Sequence, residues 1–92
     1  MLFMIAIMTV TGADRTGIIA QVTTALAELN VNIVDVSQTL MSGYFTMILR
    51  VEILDSEVSI QKIQDHMKPV EEKTQQVIRI QSEDLFTAMN EI

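Results

Sequence analysis

The chain has 92 residues, a formal net charge of −6 and 49% hydrophobic residues. This length supports one domain with a single two-layer core, and the apolar content argues against a disordered segment. The absence of cysteine excludes a disulfide framework and a thiolate metal site, and the acidic balance without a basic cluster argues against nucleic acid or a membrane as partner.

The N-terminal part predicts a strand followed by a helix. Residues 2–10, LFMIAIMTV, are apolar at odd and at even positions alike. Since these positions face opposite sides of a strand, the pattern is typical of a central strand covered on both faces. This run lacks the basic region of a signal peptide and is too short to span a membrane. Residues 17–29 have apolar side chains spaced by three and four positions, which indicates an amphipathic helix, at Ile19, Val22, Leu26 and Leu29.

Two further strands are expected after this helix. Residues 33–41 place Val34, Val36 and Leu40 on one face, which predicts a half-buried strand. Residues 44–53 alternate strictly between apolar and mixed positions, and this is the strongest strand signal in the chain. Ser42-Gly43 between them is a candidate two-residue turn.

The C-terminal part predicts a helix, a strand and a short final helix. The second amphipathic helix begins near Ser56 and should end near Pro69. Glu71 and Glu72 then fall in an expected solvated loop. Residues 75–81 form a short strand with polar ends, as an edge strand can have. A tail helix over about 83–91 follows, with Ser82 as its N-cap. Its apolar side is formed by Leu85, Phe86, Met89 and Ile92.

The resulting order, β-α-β-β-α-β with an appended helix, predicts an α+β ferredoxin-like fold. Right-handed crossovers turn that order into a four-stranded antiparallel sheet with two helices on one face. We expect one domain over residues 1–92, with its core at about residues 2–81. The second sheet face has no helices in this plan, so the C-terminal helix or a partner sheet is expected to cover part of it. Its expected residues include Ser37, Thr46, Ile48 and Arg50.

The stretch GADRTGII, residues 12–19, joins the first strand to the first helix and is the candidate ligand site. Gly12 is expected to end the strand, and Gly17 to open the helix. The unpaired amides of the first helical turn suit a carboxylate. Asp14 can accept a hydrogen bond from an ammonium group, and the Asn32 amide offers a donor and an acceptor. An α-amino acid presents that pair of charged groups.

Residues TVTGADRTGIIAQVTTALAELNVNIVDVSQT resemble the ACT domain, a ferredoxin-like regulatory module. Thr16 stands where the family usually has proline, and it supplies a hydroxyl that can cap the helix. The resemblance extends over about residues 2–81, and the terminus IQSEDLFTAMNEI is similar to the tails of short stand-alone bacterial ACT proteins of uncharacterised function. The matching positions are Gly12, Asp14, Arg15, Gly17 and Ile18 in the loop, and Asn32, Ile33 and Asp35 after the helix.

The resemblance implies a non-catalytic regulatory domain that binds a small ligand, an amino acid, at the interface of a homodimer. It implies no cofactor and no metal. The downstream partner would be a metabolic enzyme or a regulator, and the compartment the cytoplasm. The residues expected to border the ligand, from the chemistry of the loop and of Asn32, are Gly12, Asp14, Gly17, Ile18, Asn32 and Ile33.

Structural roles are the alternative at several of these positions. Asp14 or Thr16 can cap the helix, Asn32 can sit in a turn, and Arg15 is interpreted as a solvated or ion-paired side chain. A dimerisation module without a ligand is the alternative function. An enzyme is disfavoured, because the chain has no catalytic motif and its one histidine, His66, is expected on the surface or capping the second helix.

Overall fold

The computed structural model describes residues 4–90, and the side chains of residues 4–87. The described strands form one antiparallel sheet in the order β2-β3-β1-β4, which confirms the predicted ferredoxin-like fold. Leu2 and Phe3, which the first strand was expected to include, lie outside the described residues. The strands are β1 (Met4–Ala13), β2 (Val31–Met41), β3 (Tyr44–Ile53) and β4 (Gln76–Ser82), and the helices are α1 (Ile18–Glu28), α2 (Ile60–His66), α3 (Lys68–Thr74) and α4 (Glu83–Asn90).

The core lies between one face of the sheet and the helices α1, α2 and α3. Strand alternation sends every second side chain of β1 and β3 toward the helices, and these side chains are buried. The bounds of β3 agree with the predicted 44–53. The largest fully buried side chains on this layer are Met8, Leu26, Met47, Leu49, Ile53, Ile63, Met67 and Ile78.

Strand β1 continues through Gly12, which the sequence analysis expected to end it. Gly12 pairs with Phe45 on one side and Gln76 on the other. A Cβ at this position would lie 2.8 Å from Oε1 of Gln76 and 2.9 Å from the carbonyl oxygen of Gln75. Glycine is therefore required here because two groups of the β4 end approach the backbone closely, and not because the strand ends.

Strand β2 begins at Val31, two residues earlier than predicted, so Asn32 lies in a strand and not in a turn. An irregularity between Ile33 and Asp35 shifts the register by one residue. The alternation is thereby reversed, and Val36 faces the helix side opposite Leu49.

The prediction that β2 is half-buried is wrong for residues 34–41. All of them are exposed, including Val36 at 52% and Leu40 at 62%. The reason is that β2 is an edge strand of which α1 covers only the first residues, with Val31 buried and Ile33 half-buried, so the apolar side chains further along it meet no packing layer in the described chain.

The helix predicted to end near Pro69 ends at His66, and a further helix, α3, begins directly afterwards. Pro69 lies in the first turn of α3, where the missing N–H costs no hydrogen bond. Glu71 therefore lies on a helix and not in the solvated loop expected from the sequence. Its Oε2 accepts hydrogen bonds from the backbone N–H of Ile78 at 2.7 Å and from Nη1 of Arg79 at 3.1 Å.

The two edges of the sheet differ in how their backbone groups are satisfied. At the β4 edge, Nε2 of Gln64 donates to the carbonyl of Ile78 at 2.8 Å, and its Oε1 accepts from the N–H of Ile80 at 3.1 Å. Together with Glu71, this side chain occupies groups that a neighbouring strand would pair with. Among residues 4–87, no side chain makes a hydrogen bond of this kind to the backbone of β2. The β4 edge is blocked, whereas the β2 edge is open.

Helix α4 covers part of the sheet face opposite the other helices, as the sequence analysis expected. It packs against β1 and β4, and Ile7, which pairs with Arg50 on the same face of the sheet, is only 8% exposed. Ser82 caps it by accepting a hydrogen bond from the N–H of Leu85. The expected apolar contributions of Met89 and Ile92 lie outside the described side chains.

Arg50 of β3 forms a two-point ion pair with Glu83 at the start of α4. Nε and Nη2 of Arg50 lie 2.6 and 3.3 Å from the carboxylate oxygens. This hydrogen bonding lowers the pKa of Glu83 and raises the pKa of Arg50. Because the pKa of Glu83 is lower in the folded chain than in the unfolded chain, the ion pair stabilises the fold at pH values above the unfolded pKa. This stabilisation is lost as the pH falls through the folded pKa.

Removing the Gln64 side chain should destabilise the chain and open the β4 edge. Gln64→Ala breaks both hydrogen bonds to β4, so the free energy of unfolding should fall by about 1–3 kcal/mol, and self-association should increase. Denaturant unfolding and light scattering measure the two effects. Gln61→Ala is the matched control, because Gln61 on the same helix bonds only to exposed Asp65. Equal behaviour of the two variants would contradict the blocking role.

Candidate ligand-binding site

A cleft of about 530 Å³ lies between the start of α1 and the far end of β2. Part of its lining was expected from the sequence, namely Asp14, Gly17 and Ile18. The end of β2 was not expected, because it carries no motif and reaches the cleft only through the pairing of β2 with β3. These β2 residues are Gln38, Thr39 and Leu40.

The N-terminus of α1 has no side-chain cap. Gly17 occupies the N-cap position in the left-handed conformation, at φ 89°, and no side chain accepts a hydrogen bond from the first turn. A Cβ at Gly17 would meet nothing within 4 Å, so glycine serves the backbone conformation here and not a close approach. The proposed capping roles of Asp14 and Thr16 are therefore wrong. The first-turn amides and the positive end of the helix dipole remain available to an anion.

The loop that joins β1 to α1 is held at its start by a single backbone hydrogen bond to the β2–β3 turn. The N–H of Asp14 donates to the carbonyl of Gly43 at 2.8 Å. The side chains of Asp14 and Arg15 are exposed, and neither has a hydrogen-bond or ion-pair partner among the described residues. The Asp14 carboxylate is thus free to accept a hydrogen bond from a bound molecule at the rim of the cleft.

Asn32 and Ile33 lie at the opposite end of the sheet from this cleft. Asn32 pairs with Glu52, and its Nδ2 donates to Oε1 of Glu52 at 3.0 Å, whereas Gly12 pairs with Phe45. The seven positions along β3 between Phe45 and Glu52 correspond to roughly 24 Å. Within one chain, Asn32 and Ile33 therefore cannot contact a ligand that sits beside Asp14.

A second cleft, of about 560 Å³, lies between α1 and the helices α2 and α3. Nε2 of His66 in this cleft is 2.9 Å from Oε1 of Glu28. His66 is thus a half-exposed residue that links two helices, and the C-cap of α2 is Met67. None of the ligand residues expected from the sequence lines this cleft.

The described part of the chain shows neither a metal centre nor a membrane-spanning helix. No group of three or more histidine, cysteine, aspartate or glutamate side chains within residues 4–87 is placed to hold a metal ion. No helix in the described part is long and apolar enough to cross a membrane.

Comparison with known proteins gives consistent matches over nearly the whole chain. A family model described as the ACT domain matches residues 4–81. A UPF0237 protein of Corynebacterium glutamicum is 63% identical over 89 residues, which cover 97% of this chain and 100% of that protein.

Among solved structures, an ACT domain protein from Streptococcus pneumoniae aligns with a TM-score of 0.79 and 36% identity, covering 90% of this chain and 93% of that one. The ligand-free regulatory subunit of aspartate kinase from Thermus thermophilus aligns with a TM-score of 0.67 and 21% identity, covering 85% of this chain and 50% of that one, and at this identity it shows the fold alone.

Removing the side chains of Asp14 and Thr16 should leave the stability of the chain almost unchanged. Because neither caps α1, Asp14→Ala and Thr16→Ala should each alter the free energy of unfolding by less than about 0.5 kcal/mol. Ser59→Ala is the positive control, since Oγ of Ser59 accepts from the N–H of Lys62 at 3.0 Å and caps α2. That variant should lose about 1 kcal/mol in denaturant unfolding. A loss of similar size in Asp14→Ala or Thr16→Ala would restore the capping interpretation.

Proposed function

Because this chain belongs to the ACT domain family, generally regulatory ligand-binding domains and not catalytic ones, we propose that it senses an α-amino acid as a homodimer. The whole chain works as one domain. The ligand occupies the cleft beside the β1–α1 loop, and its occupancy alters the arrangement of the two subunits. Asp14, Gly17 and Ile18 contribute from one subunit, whereas Gly12, which was also expected at the ligand, lies against Gln76 and does not line the cleft.

The observation that carries this proposal is the uncapped start of α1 beside a cleft with a free carboxylate at its rim. The first-turn amides behind Gly17 offer hydrogen bonds and a positive potential to a carboxylate group. Asp14, whose side chain has no partner among the described residues, accepts from an ammonium group. An α-amino acid carries these two groups on one carbon atom, and side-chain selectivity then falls to the rest of the cleft.

The open edge of β2 supports pairing with a second copy. An edge strand of 11 residues, of which 34–41 are all exposed, is a template for another strand, and the blocked β4 edge is not. Antiparallel pairing of β2 with the β2 of a partner is isologous, so it closes as a twofold dimer.

This pairing also explains the distance between the two groups of expected ligand residues. Since β2 runs from Val31 to Met41, a twofold axis at its midpoint places its first residues beside the last residues of the partner. The partner's Ile33 then lies near Gln38 and Leu40, at the cleft, whereas the side chain of the partner's Asn32 is directed to the other face of the sheet, beside the partner's Glu52. A site of this kind is complete only in the dimer.

Coupling between ligand and assembly follows from this shared site. A ligand that touches both subunits binds the paired arrangement more tightly than the separate chains, and it therefore shifts the equilibrium toward that arrangement. The alternative is an assembly module in which the same β2 edge pairs and no ligand binds. The exposed apolar residues of β2 are compatible with both functions, and only ligand addition separates them.

We place this activity in the cytoplasm, with a metabolic enzyme or a regulator as the downstream partner. The absence of cysteine fits a reducing compartment. The occurrence of the same fold in a regulatory subunit of aspartate kinase supports an enzyme as the downstream partner.

Thermal unfolding against each of the twenty amino acids at millimolar concentration tests the ligand. An amino acid at about 100 times its Kd adds roughly 2.7 kcal/mol, which for a domain of this size raises the Tm by about 10 °C or more. Asp14→Ala should abolish the shift. Asp84→Ala, which removes an exposed acid from α4, should leave it intact. If no amino acid moves the midpoint of the wild type, the assembly module is the correct function.

Sedimentation velocity at micromolar concentration tests the interface. The wild type should sediment as a dimer, and Val36→Lys should sediment as a monomer, because it places charges on the paired β2 edges. Val77→Lys on the blocked β4 is a closely matched control, since Val36 and Val77 are 52% and 51% exposed. A monomeric wild type, or dissociation by the β4 variant alone, would contradict the β2 dimer.

A further inference from the structure

Gln76, the first residue of β4, is a buried polar side chain that the proposed function does not use. It faces the helix side of the sheet and is 4% exposed. Its Oε1 accepts no hydrogen bond, and within the described part of the chain no other buried side-chain nitrogen or oxygen is left without a partner.

The position of this oxygen is fixed by the other half of the amide. Nε2 of Gln76 donates to the carbonyl of Ala13 at 2.6 Å and lies 3.3 Å from the carbonyl of Thr74, so the nitrogen and oxygen cannot be exchanged. Oε1 lies against Gly12, 2.8 Å from where a Cβ would stand. The side chain thus crosses β1 over a glycine and reaches Ala13, at the start of the β1–α1 loop.

An orphaned acceptor is unfavourable, and the two donated bonds do not account for it. They explain why a donor is present at this position, but a buried oxygen without a partner retains its full desolvation cost. Such a group suits a place where a donor arrives from outside. The adjacent loop is the one whose helix lacks a cap and whose Asp14 carboxylate is free.

On the basis of the proposed function, we propose that Oε1 of Gln76 accepts a hydrogen bond from the ammonium group of the bound amino acid. The oxygen is covered in this structure and does not line the cleft, so the proposal requires that the β1–α1 loop lifts and lets the ligand reach it. The bond from the Asp14 N–H to Gly43 and the bond from Gln76 to Ala13 are the contacts that hold the start of the loop. Gln76 and Asp14 then share the ammonium group, while the start of α1 holds the carboxylate.

This assignment makes Gln76 a specificity-determining residue that distinguishes amino acids from acids without an amine. Its test compares pairs of probes that differ only in the amine, such as glycine with acetate and L-alanine with propionate, extended to the other L-amino acids and their deaminated acids. Calorimetric titration of the wild type and of Gln76→Met gives the affinities. The variant should lose about 10-fold or more in affinity for the amino acid, and less than about 2-fold for the deaminated acid.

The ratio of the two affinities separates the proposed contact from a loop tether. A variant that weakens both members of a pair equally shows that Gln76 only positions the loop, and unchanged amino-acid affinity shows that Gln76 has no role in binding. Either result overturns this inference and leaves the amino-acid site in place. A wild type that binds none of the probes overturns the proposed function as well.

A second variant covers the case in which Gln76→Met does not fold. Gln76→Glu retains an acceptor and adds a negative charge, but it loses the bond to the Ala13 carbonyl, so only the ratio of the two affinities is compared. The affinity for the amino acid relative to that for the deaminated acid should rise, because the added charge attracts the ammonium group. A fall of both affinities by the same factor would contradict the contact with the ammonium group.

Discussion

The hydrogen bonds between Gln64 and the backbone of β4 determine which edge of the sheet is left open to a further strand. One side-chain amide supplies a donor to the Ile78 carbonyl and an acceptor to the Ile80 N–H, as a neighbouring strand would. Glu71 adds a carboxylate to the N–H of Ile78. A four-stranded sheet has two edges, and this one satisfies the first internally and leaves the second, β2, with exposed apolar side chains. The dimer, the shared site and the coupling in the proposed function all depend on that difference.

Gln76 connects strand β4 to the loop that borders the candidate site. Gly12 has no side chain, so Gln76 can cross β1 and hold the carbonyl of Ala13. The β1–α1 loop is therefore tied to β4 on one side and, through Asp14 and Gly43, to the β2–β3 turn on the other. In the proposed function, a ligand that moves this loop acts on the open edge through the β2–β3 turn, and this contact would connect binding with assembly.

Regular periodicity was the part of the fold that could be predicted from the sequence. Strict alternation placed β3 at residues 44–53, and spacings of three and four located α1. Local exceptions to periodicity were missed. The bulge after Ile33 has no sequence signature, and Pro69 marked the end of one helix without showing that another begins there. Burial of β2 was overestimated because alternation describes a face and does not show whether a layer covers it.

The candidate site was predicted only where its residues are consecutive. The glycine-bounded loop identified Asp14 and Gly17, but Gln38 and Leu40 reach the cleft through strand pairing across the fold. The roles of individual residues were harder to predict than their positions. The hydroxyl of Thr16, which was expected to cap α1, makes no hydrogen bond to it, and Gly12, which was expected to end β1, leaves space for Gln76. Such assignments depend on distances between atoms, which a spacing pattern does not contain.

Backbone amide exchange, followed residue by residue with and without a saturating mixture of the L-amino acids, tests the central claim most directly. A site built from the loop of one subunit and the β2 edge of the other predicts that exchange slows together at residues 13–18 and at residues 31–41, while β4 is unchanged. Slowing at the loop alone would show a ligand site confined to one chain. Unchanged exchange at both would contradict the account of a ligand that binds between two copies.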